Sequence, residues 1–169
     1  AYIGALTGAN ADLGIAISNA AALAVDQHNA NNPDCQVAYK KFDSQGDPSI
    51  APGVSTQAIN EKDIIGVVGL PFSGESKAVG AAFNSAGLVT VSPSATNPDL
   101  TKNGWKTFHR VLGNDASQGP AAANFMTKDL GAKKVCVIED DSDYGKGLAA
   151  AVEQTLGSAV AFTDDVKTG

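Results

Sequence analysis

Short apolar segments alternate with longer stretches of helical periodicity along the whole chain. Seven segments have the length and composition of strands, and several are unbroken apolar runs: residues 2–6, 37–42, 64–68, 88–91, 107–111, 135–138 and 159–162. Five stretches between them predict helices: residues 13–28, 49–61, 73–86, 118–130 and 145–156. Unbroken apolar strands are typical of parallel sheets covered on both faces, and repeated strand–helix–strand units favour right-handed crossovers. The pattern therefore predicts an α/β fold built on a doubly wound parallel sheet.

Glycines and prolines place some of the element boundaries. Gly87 and Gly131 follow the third and fourth helical stretches, in the position where glycine commonly ends a helix. Pro52 lies in the second stretch and is tolerated only in the first turn of a helix, which makes that helix the least certain of the five. The polar passage 113–120 fits either a strand-to-helix loop or a crossover between two lobes, and its composition leaves both interpretations open.

Length and charge exclude several classes of function. The 169 residues are 43% hydrophobic, which is enough to form a packed core. The formal net charge is −6 and the pI is about 4.7. This balance argues against a nucleic-acid surface and against electrostatic docking to anionic lipid, because both need clustered lysine and arginine. The sequence also lacks an apolar run of the roughly 20 residues that a membrane-spanning helix requires.

The two cysteines and two histidines do not indicate a metal or catalytic site. Cys35 and Cys136 each lie among apolar or strand-forming residues, which favours buried free thiols over a disulfide. Neither has another cysteine or a histidine at metal-ligand spacing. For His28 and His109, a structural or surface role is favoured over a catalytic one. We predict no metal site.

Two polar loops are the candidate binding elements. In an open parallel sheet, ligands bind beyond the carboxyl ends of the strands, where loops lead into helices. Ser73 follows the third predicted strand and is placed to cap the next helix, whose first amides and dipole attract anions such as carboxylates. The next loop, Ser92-Pro-Ser-Ala-Thr-Asn-Pro98, holds three hydroxyls on a backbone that prolines stiffen. A cap and a turn that serve only the fold are the alternative interpretations.

Enzyme motifs are missing from the sequence. The first strand is not followed by G-x-G-x-x-G, and neither a phosphate-binding P-loop nor a G-x-S-x-G nucleophile elbow occurs. Asp140, Asp141 and Asp143 form an acidic cluster, but the pattern of an EF-hand calcium loop does not continue after them. A solvated loop is the favoured interpretation of this cluster.

Taken together, the loops resemble those of the branched-chain amino-acid (Leu/Ile/Val) binding proteins of ABC importers, a family of type I periplasmic binding proteins. The matching motifs run in order from end to end: Ile3-Gly-Ala-Leu-Thr-Gly8 with Gly14, Phe42-Asp-Ser-Gln-Gly-Asp-Pro48, Val67-Val-Gly69 with Ser73, Ser92-Pro-Ser-Ala-Thr-Asn-Pro98, Ser117-Gln-Gly-Pro120 and Asp143-Tyr-Gly-Lys-Gly147. Each motif is weak alone, but the ordered set is specific and covers essentially the whole chain. The resemblance implies two α/β lobes that close on a ligand. Residues 1–113 would be the first segment of lobe one and residues 114–169 the incomplete start of lobe two, so the chain would be the N-terminal half of a two-lobe protein.

The resemblance also implies a ligand site. Ser73 corresponds to a ligand of the amino acid's α-carboxylate, while the Ser94 carbonyl and the Thr96 hydroxyl correspond to ligands of its α-ammonium group. The Thr96 amide can also serve the carboxylate. Ala95 lies between these two residues, and Tyr144 corresponds to a tyrosine that covers the ligand in the closed state. Leu13 and Phe72 depart from the common family pattern near the side-chain pocket. Some relatives join the second and third loops by a disulfide, but this sequence has Gly46 and Phe72 there.

The function implied is that of an extracytoplasmic solute-binding protein, either free in a periplasm or held at the cell surface as a lipoprotein. It would capture a branched-chain or other apolar amino acid and deliver it to the membrane subunits of an ABC permease. We expect no catalytic activity, cofactor, nucleic-acid partner or direct membrane insertion of this segment. Two alternatives stay open: a flavodoxin-like cofactor-binding enzyme domain, and the ligand-sensing domain of a receptor with the same fold.

Overall fold

The computed structural model describes residues 1–167 and divides into two compact units. The first unit comprises Ala1–Ala95 and Leu100–Val111. The second comprises Thr96–Asp99 and residues 112–167.

The first unit is built around a parallel five-stranded sheet. Its elements follow in the order β1 (Tyr2–Gly4), α1 (Ala11–Asn31), β2 (Lys41–Asp43), α2 (Ala51–Asn60), β3 (Val67–Val68), α3 (Ser73–Ala86), β4 (Thr90–Ser92) and β5 (Phe108–Arg110). The strands lie side by side in the order β2-β1-β3-β4-β5, and every neighbouring pair is parallel. The loops after β1, β2, β3 and β4 therefore emerge at one edge of the sheet.

The second unit contains two helices and a two-stranded parallel sheet. Helix α4 (Asp115–Asn124) continues into a π-helical turn at Phe125–Asp129, and is followed by β6 (Val135–Asp140), α5 (Asp143–Leu156) and β7 (Val160–Val166). Ala123 of α4 packs with Val152 and Leu156 of α5 to form a small apolar cluster.

All seven predicted strands and all five predicted helices are present, and the parallel α/β fold class is confirmed. Their boundaries differ in places. The sequence predicts the second strand over residues 37–42, but the paired segment comprises only Lys41–Asp43. Helix α4 begins at Asp115, three residues before the predicted start, since the Asn114 side chain accepts a hydrogen bond from the Ala116 amide (3.0 Å) and caps the helix there. Gly87 and Gly131 have φ of +68° and +66°, as expected of glycines that end helices.

The core of the first unit lies between the sheet and helices α2 and α3. Its largest buried apolar members are Ile3, Phe42, Leu70 and Phe83. On the α1 side, an open cleft of about 680 Å³ separates α1 from the sheet. Val25 of α1 and Val68, Val89 and Val91 of the sheet are among the residues that line this cleft. One face of the sheet is therefore less well covered than the other.

The backbone of α1 approaches the end of β1 closely at Gly14. A Cβ atom at this position would overlap the carbonyl oxygen of Ala5. The Tyr2 hydroxyl donates a hydrogen bond to the Gly14 carbonyl at 2.8 Å, so the same residue also joins α1 to β1. Glycine is required here by this close approach, whatever its φ.

Both cysteines are free, but the prediction that they are buried is wrong: Cys35 and Cys136 are exposed. In β6, Val135 and Val137 pack against the α4–α5 cluster. Cys136 lies between them and points to the opposite face of the two-stranded sheet, where it is exposed. An apolar strand sequence does not by itself bury both faces of a strand, since helices must cover each face.

Candidate functional site

The loop between β3 and α3 leads directly into the predicted carboxylate-binding residue. Ser73 is the first residue of α3 and is 2% exposed. The prediction that it is the N-cap is wrong by one residue, because Phe72, with an extended backbone, occupies the cap position. The Phe72 amide donates to Oε2 of Glu75 (3.4 Å), so a carboxylate from the third helical position takes part in the capping. Ser73 consequently lies in the first turn of a 14-residue helix, where amides and dipole favour an anion.

Hydroxyl groups join the β4 loop to the β3 loop. Ser94 Oγ donates to the Pro71 carbonyl at 2.7 Å, and Ser92 Oγ donates to the Leu70 carbonyl at 2.7 Å. The Ala95 amide donates to Ser92 Oγ (3.0 Å), which closes the turn of the β4 loop. These hydrogen bonds hold together the two loops that carry Ser73 and Ser94.

Ala95 supports this loop through both of its backbone polar groups. Besides the amide contact with Ser92, its carbonyl accepts a hydrogen bond from Nη1 of Arg110 at 3.0 Å. Its methyl group is buried with Leu100 and Phe108. These contacts fix the backbone that follows Ser94.

The two residues that depart from the family pattern have different surroundings. The Phe72 ring lies against Gly46, where a Cβ atom would be 3.1 Å from Cε2 of the ring. The second and third loops therefore meet through an aromatic contact. Leu13, in the first turn of α1, is 48% exposed.

Thr96 and Tyr144 belong to the second unit. Thr96 is 8% exposed, and within residues 1–167 its hydroxyl oxygen has no hydrogen-bond partner. The Thr96 carbonyl accepts a hydrogen bond from the Asp115 amide (3.1 Å), and Nδ2 of Asn97 donates to the Asp143 carbonyl (2.8 Å). The Thr96 segment is thereby attached to the starts of both α4 and α5. Tyr144, the second residue of α5, is 40% exposed.

Asp43, at the end of β2, organises the first two loops. Its Oδ1 accepts hydrogen bonds from the amides of Leu6 (2.9 Å), Thr7 (3.3 Å) and Gln45 (2.9 Å), and its Oδ2 accepts one from Thr7 Oγ1 (2.6 Å). Burial alone would raise the pKa of Asp43, but these hydrogen bonds outweigh it and hold the pKa below its usual value. The Asp43 side chain is therefore an ionised carboxylate, and it holds the loop after β1 in place.

Comparison with known proteins assigns the chain to a family. The family model described as "Periplasmic binding protein" matches residues 1–167. The chain belongs to that family. The leucine-specific-binding protein of Salmonella typhimurium is 31% identical over 174 aligned positions, and an amino acid binding protein of Pseudomonas aeruginosa is 33% identical over 153. These alignments cover 100% and 89% of the chain.

Solved structures agree with this assignment to the periplasmic binding proteins. The branched-chain amino acid transporter substrate-binding protein LivJ from Streptococcus pneumoniae, solved with isoleucine, has a TM-score of 0.91 at 30% identity and is matched over 99% of the chain. The chain covers 49% of LivJ and 47% of the Salmonella protein. It thus spans about half the length of these relatives.

Glu75 is a buried ionisable residue of this periplasmic binding protein chain that the sequence interpretation did not single out. It is fully buried in α3, and within residues 1–167 its Oε1 has no hydrogen-bond partner. Burial raises the pKa of Glu75 to about 7. The Phe72 amide, which donates to Oε2 of Glu75, lowers the pKa only in part. The nearby Ser44 hydroxyl also lowers it, although its oxygen does not complete a hydrogen bond within residues 1–167. The position of Glu75 in the sequence does not reveal its burial, because a glutamate at the third helical position is also typical of an exposed capping box.

Two further findings concern the described residues as a whole. Within residues 1–167, His, Cys, Asp and Glu side chains do not cluster in groups of three that could hold a metal ion. In the same range, no helix combines the length and the apolar character needed to cross a membrane.

Proposed function

We propose that the chain is part of an extracytoplasmic solute-binding protein that captures a branched-chain or other apolar amino acid for an ABC permease. The observation that carries this proposal is the buried Ser73 at the start of α3, in a chain about 30% identical to leucine-specific and Leu/Ile/Val-binding proteins. Capture in a periplasm or at the cell surface, delivery to permease subunits and the absence of catalysis all follow from membership in such a transport system.

The start of α3 would bind the carboxylate group of the ligand. The hydroxyl of Ser73 and the first amides of α3 would bind the α-carboxylate of the amino acid, since both donate hydrogen bonds and the helix dipole adds favourable charge. The Ser94 carbonyl would accept from the α-ammonium group. The bond from Ser94 Oγ to Pro71 keeps the Ser94 side chain engaged, so the backbone carbonyl is the group we assign to the ligand.

Residues of the second unit would complete the clamp. The buried Thr96 hydroxyl has unused hydrogen-bonding capacity within residues 1–167, which suits a second ligand of the ammonium group, and the Thr96 amide would also serve the carboxylate. The exposed ring of Tyr144 would cover the ligand after closure. We assign the side-chain pocket to Leu13 and Phe72, which therefore select the amino acid.

We further propose that residues 1–113 and 114–169 are segments of two lobes. The two-stranded sheet of the second unit and the half-length match to relatives support this division. A two-stranded sheet rarely supports an independent core, so further strands would be needed for lobe two.

Calorimetric titration of the full-length, ligand-stripped protein with the twenty amino acids, FMN and NAD tests the proposal. We expect saturable binding of leucine, isoleucine or valine. Ser73→Ala and Thr96→Ala should each weaken that binding by about 1–3 kcal/mol, the cost of a lost charge-assisted hydrogen bond.

The matched control is Ser85→Ala, which makes the same substitution near the other end of α3 on an exposed residue. Its affinity should equal that of the wild type. Binding of a nucleotide cofactor with no response to any amino acid would replace this proposal with the flavodoxin-like alternative. Unchanged affinity in both the Ser73 and Thr96 variants would refute the site assignment alone.

A further inference from the structure

Glu75 is a buried carboxyl group surrounded by other acids. The ionisable groups that act on its charge follow β2: Asp43 at the end of that strand and Asp47 in the loop after it. Both are acids, and within residues 1–167 no lysine or arginine is among the groups that shift Glu75. Glu75 in turn helps to raise the pKa of Tyr2 on β1. The carboxyl group is fully buried and accepts one long hydrogen bond, from the Phe72 amide (3.4 Å). Such surroundings favour the neutral form of Glu75.

Asp43 and Asp47 are themselves committed to the ionised form. Asp43 accepts four hydrogen bonds from the first two loops, and Oδ1 of Asp47 accepts two from Ser49, both at 2.7 Å. These bonds keep the pKa of both aspartates below its ordinary value, with burial acting against them. Glu75 is consequently the member of this acidic group whose charge can change near neutral pH.

Glu75 also lies in the same helical turn as the proposed ligand carboxylate site. Ser73 and Glu75 are the first and third residues of α3, so their Cα atoms are within about 6 Å of each other in a regular helix. An anion held by the first amides of α3 would interact unfavourably with an ionised Glu75. Repulsion between like charges in one turn of a partly buried helix raises the pKa of the carboxyl group.

We propose that Glu75 must be protonated for tight amino-acid binding, and that it takes up a proton when a ligand carboxylate binds at the start of α3. Glu75 is then a positioning residue that makes ligand affinity dependent on pH. This inference rests on the proposed amino-acid site at Ser73. Binding would be tightest in mildly acidic surroundings and would weaken as the pH rises through neutrality.

The experiment is calorimetric titration of full-length protein with leucine between about pH 6 and about pH 8. For the wild type we expect the Kd to rise about three- to tenfold over this range, because the free protein loses the Glu75 proton that the complex retains. Glu75→Gln keeps the shape and a hydrogen-bond acceptor for the Phe72 amide but cannot ionise. Its Kd should stay constant within about twofold over the same range.

Glu61→Gln is the matched control, since Glu61 is a carboxylate of the same unit that pairs with Lys40 on the surface. This variant should keep the wild-type pH dependence. A Kd of Glu75→Gln that rises with pH as in the wild type would refute the proposal while leaving leucine binding intact. Failure of the wild type to bind any amino acid would instead refute the proposed function.

A second measurement needs no variant and stays informative if Glu75→Gln does not fold. Leucine is titrated into the wild type at about pH 7 in two buffers that differ in ionisation enthalpy, which gives the number of protons exchanged on binding. We expect uptake of a fraction of one proton per leucine bound. Binding without proton uptake, or with proton release, would refute the proposal.

Discussion

The two units of the chain protect their strands to different degrees. In the first unit, β1 is fully buried and Phe83 of α3 is 0% exposed beneath the sheet. In the second unit, six of the seven residues of β7 are exposed, and Phe162, its third residue, is 54% exposed. The strands of both units are parallel. Burial therefore depends on how many strands and helices surround a strand, which its own sequence does not determine.

The same contrast appears in the way each unit uses an aspartate at the end of a strand. Asp43 accepts hydrogen bonds from amides and a hydroxyl of a loop 36–37 residues earlier in the chain, and from the Gln45 amide of its own loop. Asp140, at the end of β6, accepts hydrogen bonds from the amide and hydroxyl of Ser142, two residues away. The first unit joins loops from different strands, whereas the second uses the equivalent side chain within a single turn.

Removal of an aromatic ring should give the largest difference in stability loss between the two units. Phe83→Ala would leave a cavity in the core of the first unit and should lower its free energy of unfolding by about 3–5 kcal/mol. Urea unfolding followed by the fluorescence of Trp105 measures this, because the single tryptophan of the chain packs against the buried cluster of Ala95, Leu100 and Phe108 in that unit. Phe162→Ala, the counterpart in β7, should cost less than about 1 kcal/mol by far-UV circular dichroism. Equal losses would contradict the described difference in burial.

The buried Glu75 should make the stability of the first unit depend on pH. Its pKa is raised from 4.5 to about 7 in the folded protein, so the folded state binds the proton more tightly than the unfolded state does. Stability contributed by the protonated form is present below about pH 4.5 and is lost as the pH rises through about 7. Glu75→Gln should therefore be more stable than the wild type above neutrality, by up to about 3 kcal/mol, with no gain at about pH 4.

Urea unfolding of both proteins across this pH range measures the difference in free energy. The difference between variant and wild type is the relevant quantity, since the lowered pKa values of Asp43 and Asp47 change the stability of both proteins in the opposite direction at lower pH. A difference that does not vary with pH would show that Glu75 does not titrate in this range.

The aspartate comparison should give the smallest effect. Asp43→Asn removes a charge that accepts four hydrogen bonds and should cost about 1–2 kcal/mol. Asp140→Asn, which affects one turn, should cost less than about 1 kcal/mol. Thermal unfolding of the two variants under identical conditions tests the order. A larger loss for Asp140→Asn would mean that the connection between loops contributes little to stability.

Much of the fold could be predicted from the sequence because local signals mark the elements. Apolar runs, helical periodicity and the glycines at 87 and 131 placed all seven strands and five helices in order. Cysteine burial could not be predicted in the same way. The apolar neighbours of Cys136 indicate a strand, but whether the second face of β6 is covered depends on elements distant in sequence.

Some features of the candidate site could likewise be predicted from local sequence and topology, whereas others depend on tertiary packing. Loops that follow parallel strands converge, so the positions of Ser73 and Ser94 in adjacent, bonded loops could be expected from topology. The capping role of Phe72 and the burial of Glu75 could not, because they depend on packing around α3 by residues such as Tyr2, Ser44 and Asp47. The roles of Thr96, Tyr144, Leu13 and Phe72 toward a ligand stay predictions.

The contact between Phe72 and Gly46 has a consequence for the conditions under which the protein can be handled. Where the second and third loops meet, the junction is an aromatic ring on a glycine, and both cysteines of the chain are free thiols. Van der Waals contact does not respond to electrochemical potential, whereas a disulfide at that junction would open in a reducing compartment. The geometry of these two loops is thus the same in a reducing cytosol as in an oxidising exterior, so reductants can be present throughout purification and titration.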